Sequence, residues 1–256
     1  MAILAPDDPP PVMFRAGTSP LLIVCDHAGR TLPWRSQKLG LSENDLERHI
    51  AWDIGAAAVS RHLGEALHAC VIAQTYSRLL IDCNRPPDAP TSIVEMSDRT
   101  AVPGNIGLTD AERDARLREI FEPYHGAIAA EIDRRQALAQ PTVLIAMHSF
   151  TPELMAERRP WHIGVLYRDP PFAAIVRDLL RAEEDLVVGD NEPYAVSDTS
   201  DYTIPVHGER RGLPHTGIEI RQDLIADEAG QRRWATLLAR VLPQAVDRWG
   251  GREMSA

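Results

Sequence analysis

The chain is short of lysine, cysteine and long apolar runs, and each shortage narrows what it can be. Lys38 is its only lysine, so the rest of its 27 basic residues are arginine, the fork-shaped cation suited to carboxylates and phosphates. Its three cysteines, Cys25, Cys70 and Cys83, are odd in number and widely spaced, which fits a reducing cytoplasm better than a disulfide framework or a zinc knuckle. The most apolar stretches, Leu21 to Cys25 and Val143 to Met147, fall far short of the roughly 20 residues that span a bilayer, so no membrane partner is expected. No basic-apolar-small leader pattern opens the chain. A formal charge of -10 and a sequence pI near 5.4 argue against broad nucleic-acid binding, which needs concentrated positive charge. The common cofactor signatures are missing too: there is no GxGxxG, HExxH or GxSxG, and Lys38 is followed by Leu39 rather than by a Walker serine or threonine.

What is present suffices for one substantial core. With 256 residues, 44% of them hydrophobic and 25% charged, the composition is that of an ordered globular domain. Residues 1–18, with Pro6, Pro9, Pro10 and Pro11, read as an extended arm, and 19–256 as a single α/β domain. Apolar runs at Leu21 to Cys25, Ala69 to Gln74, Leu79 to Ile81, Val143 to Met147, Ile163 to Tyr167, Leu186 to Val188 and Thr216 to Arg221 read as strands. Ser42 and Asp45 form a helix start, and Trp52, Ala56, Val59, Leu63 and Ala66 continue an apolar stripe at helical spacing. Thr109 and Glu112 cap a second helix that runs through Leu117, Ile120, Tyr124, Ile128 and Ile132, while Pro171 to Glu183 and Glu228 to Trp249 are helical as well. Alternating strands and helices imply a three-layer α/β/α sandwich, and the aperiodic stretch 88–108 is expected to cover the site.

Polar residues recur where apolar runs end: His27, Asn84 with Arg85, and His148, with Glu219 inside a late run. In open α/β sheets ligands gather outside the carboxyl ends of strands, so these residues can converge. Taken together they describe a hydrolytic metal site, in which imidazoles and a carboxylate hold zinc and a second carboxylate activates water. Each has an ordinary alternative: a loop histidine bonded to a carbonyl, a solvated aspartate at Asp53, a strand glutamate paired with Arg221, or surface pairs of Arg78 and Arg85 with Asp82 and Asp88. Ser149 beside His148 is a poor nucleophile pair, since adjacent strand residues point to opposite faces.

The segments Asp26-His27-Ala28-Gly29, Trp52 to Ala56, Tyr76 to Pro86, His148-Ser149-Phe150 and Gly217 to Asp223 resemble the N-formylglutamate amidohydrolase family over roughly Leu21 to Leu224. The block from Tyr76-Ser77-Arg78 to Asn84-Arg85-Pro86 is its most specific part. The resemblance implies a zinc-exopeptidase-like fold with a mixed sheet and removal of the formyl group from N-formyl-L-glutamate, a small anionic substrate, by one zinc ion. It also implies His27 and His148 as metal ligands and Glu219 as general base. Relatives of the carboxypeptidase type supply a glutamate three positions after the first histidine, where this chain has Arg30; Asp53 is therefore the expected carboxylate ligand, with Asp26 or His49 as substitutes. Arg78, Asn84 and Arg85 are expected to fix substrate carboxylates, one arginine polarising the carbonyl instead, with Arg221, Tyr194 and His215 as further substrate contacts. Two other functions compete: an aspartoacylase- or carboxypeptidase-like amidase with another acyl group, and a metal-free binding protein for an acidic metabolite. The expected assembly is a monomer or a small homo-oligomer.

Overall fold

A computed structural model describes residues 2–169 and 171–253, with only the backbone considered at 252–253. The strands, in chain order, are β1 (Val12–Arg15), β2 (Leu21–Cys25), β3 (Cys70–Gln74), the short pair β4 (Met96–Ser97) and β5 (Thr100–Ala101), β6 (Val143–Phe150), the short pair β7 (Glu153–Leu154) and β8 (Glu157–Arg158), β9 (Ile163–Leu166), β10 (Val188–Asp190) and β11 (His215–Arg221). Seven of them form one mixed sheet in the order β1-β3-β2-β6-β11-β9-β10. The pairs β3/β2, β2/β6, β6/β11 and β9/β10 are parallel; β1 is antiparallel to β3, and β9 to β11.

Strand alternation sorts the core onto two faces. Ile23, Cys25, Val71, Ile145, Met147, Val165 and Ile218 pack under helices α2 (Ala56–Leu67), α5 (Pro171–Arg181) and α6 (Glu228–Glu253). Leu22, Val24, Ile72, Leu144 and Ala146 pack on the other side against Tyr124, Ile128 and Ile132 of α4 (Glu122–Ala137). The chain enters α4 from α3 (Asp110–Arg116), which Thr109 and Glu112 start with a capping box, through a π-helical stretch at Leu117–Phe121. The remaining short helix, α1 (Glu43–Glu47), carries a capping box between Ser42 and Asp45. The result is the three-layer single-domain α/β fold that the alternation of elements implies. No helix of the described residues is long and apolar enough to cross a membrane.

Five expectations are corrected. The apolar Leu79–Ile81 segment is not a strand; it is a buried turn on the second face of the sheet. Trp52 lies outside the helix, because Gly55 adopts φ +81° at its N-cap and a Cβ there would stand 2.2 Å from the carbonyl oxygen of Ile225. His148 lies within β6 rather than beyond it. The 88–108 stretch does not cover the site but packs on its own side, where the Asn105 amide donates to the Leu79 and Val94 carbonyls and Arg116 donates to Asn105 Oδ1 at 2.6 Å. The N-terminal segment is not extended throughout, since it turns at Ala5–Asp8, where the Asp8 N–H donates to the Ala5 carbonyl, and it is held along its length. Glu119 accepts from the backbone N–H groups of Ile3 and Leu4, Tyr76 donates to the Pro9 carbonyl, and β1 completes one edge of the sheet.

Arg135, buried on α4, ties that helix to the approach of β2. Its Nε donates to Glu131 at 2.7 Å and its Nη1 to the Ser19 and Pro20 carbonyls at 3.1 Å each. Hydrogen bonds from Arg134 and Arg135 outweigh burial and hold the Glu131 pKa at about 2, below its ordinary 4.5. A carboxyl depressed in the fold contributes stability that is full above about 4.5 and lost as the pH falls through about 2. Glu131→Gln is therefore expected to lower stability by ~1–3 kcal/mol at neutral pH, with the difference from the parent protein shrinking between those two pH values in denaturant titrations; a difference independent of pH would contradict it.

Candidate active site

The site forms where β2, β6 and β11 end on the α4 side of the sheet. In the parallel pairing of β6 with β11, Glu219 is in register with His148, and alternation turns both away from Met147 and Ile218. β2 ends at Cys25, so Asp26 and His27 fall in the following turn. Asp53 is brought over by the segment before α2, where its backbone N–H donates to the His27 carbonyl at 2.9 Å.

One oxygen of Asp53 gathers the cluster. Its Oδ2 accepts from His148 Nδ1 at 2.9 Å, from the Ser149 N–H at 3.2 Å and from His27 Nδ1 at 3.3 Å. Each imidazole has a second buried carboxylate behind it: His27 Nε2 is 2.7 Å from Asp82 Oδ1, and His148 Nε2 is 3.2 Å from Asp26 Oδ2. Asp82 is in turn gripped by Arg78, whose Nε and Nη2 lie 3.1 and 2.6 Å from Oδ2, while Arg78 Nη1 is 3.4 Å from Asp53 Oδ1. Asp26 accepts from the hydroxyls of Tyr124 at 2.8 Å and Thr203 at 2.7 Å.

Charge follows from these partners. Burial would lift the carboxyl pKa values, yet the two histidines hold Asp53 well below the usual range, and Arg78 with His27 does the same for Asp82. Burial works against protonation of His148 and of His27, but Asp26 and Asp53 raise the first, and Asp82 and Asp53 the second. Glu219 behaves oppositely: burial, helped by the Asp53 carboxylate and opposed by His148, pushes it up to about 7, and its Oε2 has no hydrogen-bond partner among the described residues. A carboxyl that titrates near neutrality and has a free oxygen is suited to proton transfer. Gly164, opposite Glu219 on β9, is required for space, since a Cβ there would stand 2.0 Å from the Glu192 carbonyl oxygen.

The donor set suits a divalent metal. One atom each from His27, Asp53 and His148 lies within 4.8 Å of the others, and all three residues are buried. Each imidazole can offer its Nδ1 with its Nε2 turned to a carboxylate, hydrogen-bonded for His27 on Asp82 and at an ion-pair distance of 3.2 Å for His148 from Asp26, the arrangement that orients metal-bound histidines. Arg30, by contrast, is half-exposed over the Trp52 ring and paired with Glu47, outside the cluster.

These residues open into a cavity of about 460 Å3 lined by His27, Asp53, Arg78, Asn84, Arg85, His148, Tyr194 and Glu219. His49, considered as a substitute ligand, also lines it but faces Asp98 at 3.5 Å. The segment Pro193–Ile204 supplies one wall through Pro193–Val196, Ser200, Asp201 and Ile204. Asn84 lines the cavity while pinning that wall: its Oδ1 accepts from the Tyr202 and Thr203 N–H groups, and its Nδ2 donates to Asp201. Two residues expected to touch substrate are elsewhere. His215 begins β11, four residues before Glu219, donates to the Leu213 carbonyl and lines a separate cavity beside Phe172 and Trp249. Arg221 is paired with Asp223 at 2.8 Å and reaches the Arg159 and Pro160 carbonyls outside the cavity. Tyr194 sits on the rim, with its ring under Arg159 at 4.9 Å. Sequence reasoning missed the supports Tyr124 and Thr203, although a tyrosine in a fully apolar helical stripe is itself a signal that its hydroxyl needs a buried partner. Cys25, Cys70 and Cys83 are all buried free thiols.

Comparison with known proteins agrees with the quoted motifs. Residues 19–226 match the N-formylglutamate amidohydrolase family. An N-formylglutamate deformylase of Pseudomonas aeruginosa is 30% identical over 193 residues, 67% of this chain and 70% of that protein. A second, from Pseudomonas putida, is 34% identical over 136 residues, and the match spans only 48% of its length. Among solved structures, gene product Atu2144 of Agrobacterium tumefaciens superposes with a TM-score of 0.93 at 35% identity, covering 97% of this chain and 99% of that one. An N-formylglutamate amidohydrolase from Ralstonia eutropha shares the fold, with a TM-score of 0.65 at 18% identity over 93% of this chain and 98% of that one. The chain belongs to the N-formylglutamate amidohydrolase family.

Proposed function

We propose that the protein is a zinc-dependent amidohydrolase that cleaves the formyl amide of an N-formyl amino acid, N-formyl-L-glutamate or a close N-acyl relative, to formate and the free amino acid. The observation that carries this is the convergence of His27, Asp53 and His148 beside the unpartnered carboxyl of Glu219. A zinc ion held by those three side chains would supply Lewis-acid polarisation of the amide carbonyl and of water. The protein's own groups do the rest. Glu219 takes the proton of the attacking water and passes it to the amine nitrogen as the C–N bond breaks. Arg85 uses only Nη1, on the Asn84 and Ser200 carbonyls, and among the described residues its other N–H groups have no acceptor, which leaves them for the substrate carboxylate. Arg78 keeps Asp82 ionised, and its Nη1, 3.4 Å from Asp53 Oδ1, helps hold that carboxylate in place.

Formate release from a panel of N-formyl amino acids, with loss of turnover on chelation and return on adding zinc, tests this reading; protein that contains no metal and hydrolyses nothing when zinc is added would support the metal-free binding alternative. Glu219→Gln is expected to lower kcat by ~100- to 10,000-fold with metal content unchanged by elemental analysis, and near-normal turnover would remove it as the base. Asp26→Asn is expected to weaken zinc affinity ~10- to 100-fold in a chelator competition without unfolding the chain; unchanged affinity would show that Asp26 does not orient His148.

A further inference from the structure

The hairpin of β7 and β8 brings an arginine to the mouth of the cavity without giving it a carboxylate. Thr151 and Leu154 line the cavity from this segment, and the Arg159 N–H closes the segment by donating to the Pro152 carbonyl at 2.9 Å. The half-buried Arg159 side chain turns toward two more lining residues. Its guanidinium carbon stands 4.9 Å from the centre of the Tyr194 ring and 6.0 Å from that of Phe150. Arg159 Nη1 donates to the Tyr194 hydroxyl at 2.9 Å, and among the described residues the side chain has no other hydrogen bond and no ion pair.

A guanidinium carries five N–H donors, so Nε and Nη2 of Arg159 are left over. The neighbouring arginines differ: Arg78 is paired with Asp82 and Asp53, Arg168 with Asp198 and Glu209, and Arg221 with Asp223. Arg221, expected from the sequence to touch substrate, serves Arg159 instead. Its Nη1 lies 3.5 Å from the Arg159 carbonyl oxygen and 3.4 Å from that of Pro160, and so braces the backbone just after the hairpin.

Tyr194 joins this group to the reacting centre. Burial and the Glu219 carboxylate raise its hydroxyl pKa above the ordinary phenol value, while Arg159 and Arg78 oppose the rise, so one hydroxyl stands in the field of all three. Deeper in, Arg85 lines the cavity with its own donors to spare. Asp201, on the same wall, would repel an incoming anion, but its carboxylate is already met by the Asn84 amide, the Ser197 N–H and the Ser200 hydroxyl. One fork in the lining and one at its rim suit a ligand whose two carboxylates are joined by a short chain.

We infer that Arg159, braced by Tyr194, recognises a second carboxylate at the end of the substrate side chain and so sets a preference for N-formyl-L-glutamate over its uncharged analogues. This rests on the amidohydrolase reading above. The α-carboxylate lies on Arg85, and the side-chain carboxylate lies on Nε and Nη2 of Arg159. Arg159 touches no reacting atom, so its loss weakens the binding of one class of substrate and leaves proton transfer at Glu219 intact.

The test compares kcat/KM of the zinc-loaded protein and its Arg159→Ala variant for N-formyl-L-glutamate and for N-formyl-L-glutamine, which has the same side-chain length and no charge. The parent protein is expected to favour the glutamate compound by ~10- to 100-fold. Arg159→Ala is expected to erase most of that ratio through a higher KM for the glutamate compound, with the glutamine compound changed by less than ~3-fold. Arg159→Lys, which keeps the charge but not the fork, is expected to retain part of the ratio. Calorimetric binding of L-glutamate and L-glutamine to the same proteins is expected to show the same loss of preference without turnover. An equal loss on both compounds would mean that Arg159 only shapes the rim, and an unchanged ratio, or a parent without preference, that it reads no carboxylate; each overturns the inference and leaves the amidohydrolase reading in place. No hydrolysis of either compound by the parent overturns that reading, and the inference falls with it.

Discussion

A single carboxylate oxygen organises this molecule's chemistry. Asp53 Oδ2 accepts hydrogen bonds from the turn after β2, from the side chain of a β6 residue and from the backbone of the next one. Burying an ionised carboxylate is unfavourable unless it is fully met by donors, so the position of Asp53 is conditional on His27, His148 and Ser149, and theirs on it. The same condition extends outward. Asp82 and Asp26 stand behind the two imidazoles, Arg78 secures the first, and Tyr124 and Thr203 secure the second. Thr203 is buried at the start of the helical turn Ile204–Glu209 and Tyr124 belongs to α4, so the orientation of one histidine depends on two helical segments far apart in the chain.

Much of this was legible in the sequence where chemistry and periodicity coincide. The buried strands at Leu21, Val143 and Ile163 read as continuous apolar runs, and the Thr109–Glu112 capping box located its helix start to the residue. Alternation alone turned Glu219 away from Ile218 and Ile220, and the aspartate expected to stand in for the missing glutamate near Arg30 is the one that meets both histidines. Long-range facts were harder. His215 and Glu219 share a strand and a face, but the strand places them at opposite ends, and nothing local says which end carries chemistry. Arg221 falls beyond the cavity because Asp223, two residues on, captures it. The wall at Pro193–Ile204 was not foreseen because its anchor is Asn84, more than a hundred residues away, acting through side-chain bonds to backbone groups that no periodicity encodes.

The acidic balance of the chain and its arginine-rich supply of cations take on different meanings at the site. Across the fold several guanidinium groups are internal ties: Arg78 to two aspartates at the site, and away from it Arg116 to Asn105 and two carbonyls, and Arg135 to Glu131 and the approach to β2. A planar fork can hold several acceptors at once, which lysine does not match. Abundant arginine therefore does not mean abundant free positive charge, and the local sign at Arg85 says more about recognition than the net charge does.

The register of β6 against β11 has a consequence for which changes the chain can absorb. Glu219 opposes His148 only because seven consecutive residue pairs of the two strands are aligned, His215 with Leu144 through Arg221 with Phe150. Inserting or deleting one residue early in β11 would invert every later side chain of that strand, sending Glu219 into the core under α2, α5 and α6 and Ile220 into the cavity, and the same change early in β6 would turn His148 away from the site. Length variation is thus barred from these two strands, while the short exposed hairpin at Glu153–Arg158 beside the cavity mouth lies outside that ladder and is free to change in length and composition. Divergence of substrate preference within this architecture has an open route through that hairpin, and the proton-transfer geometry is insulated from it.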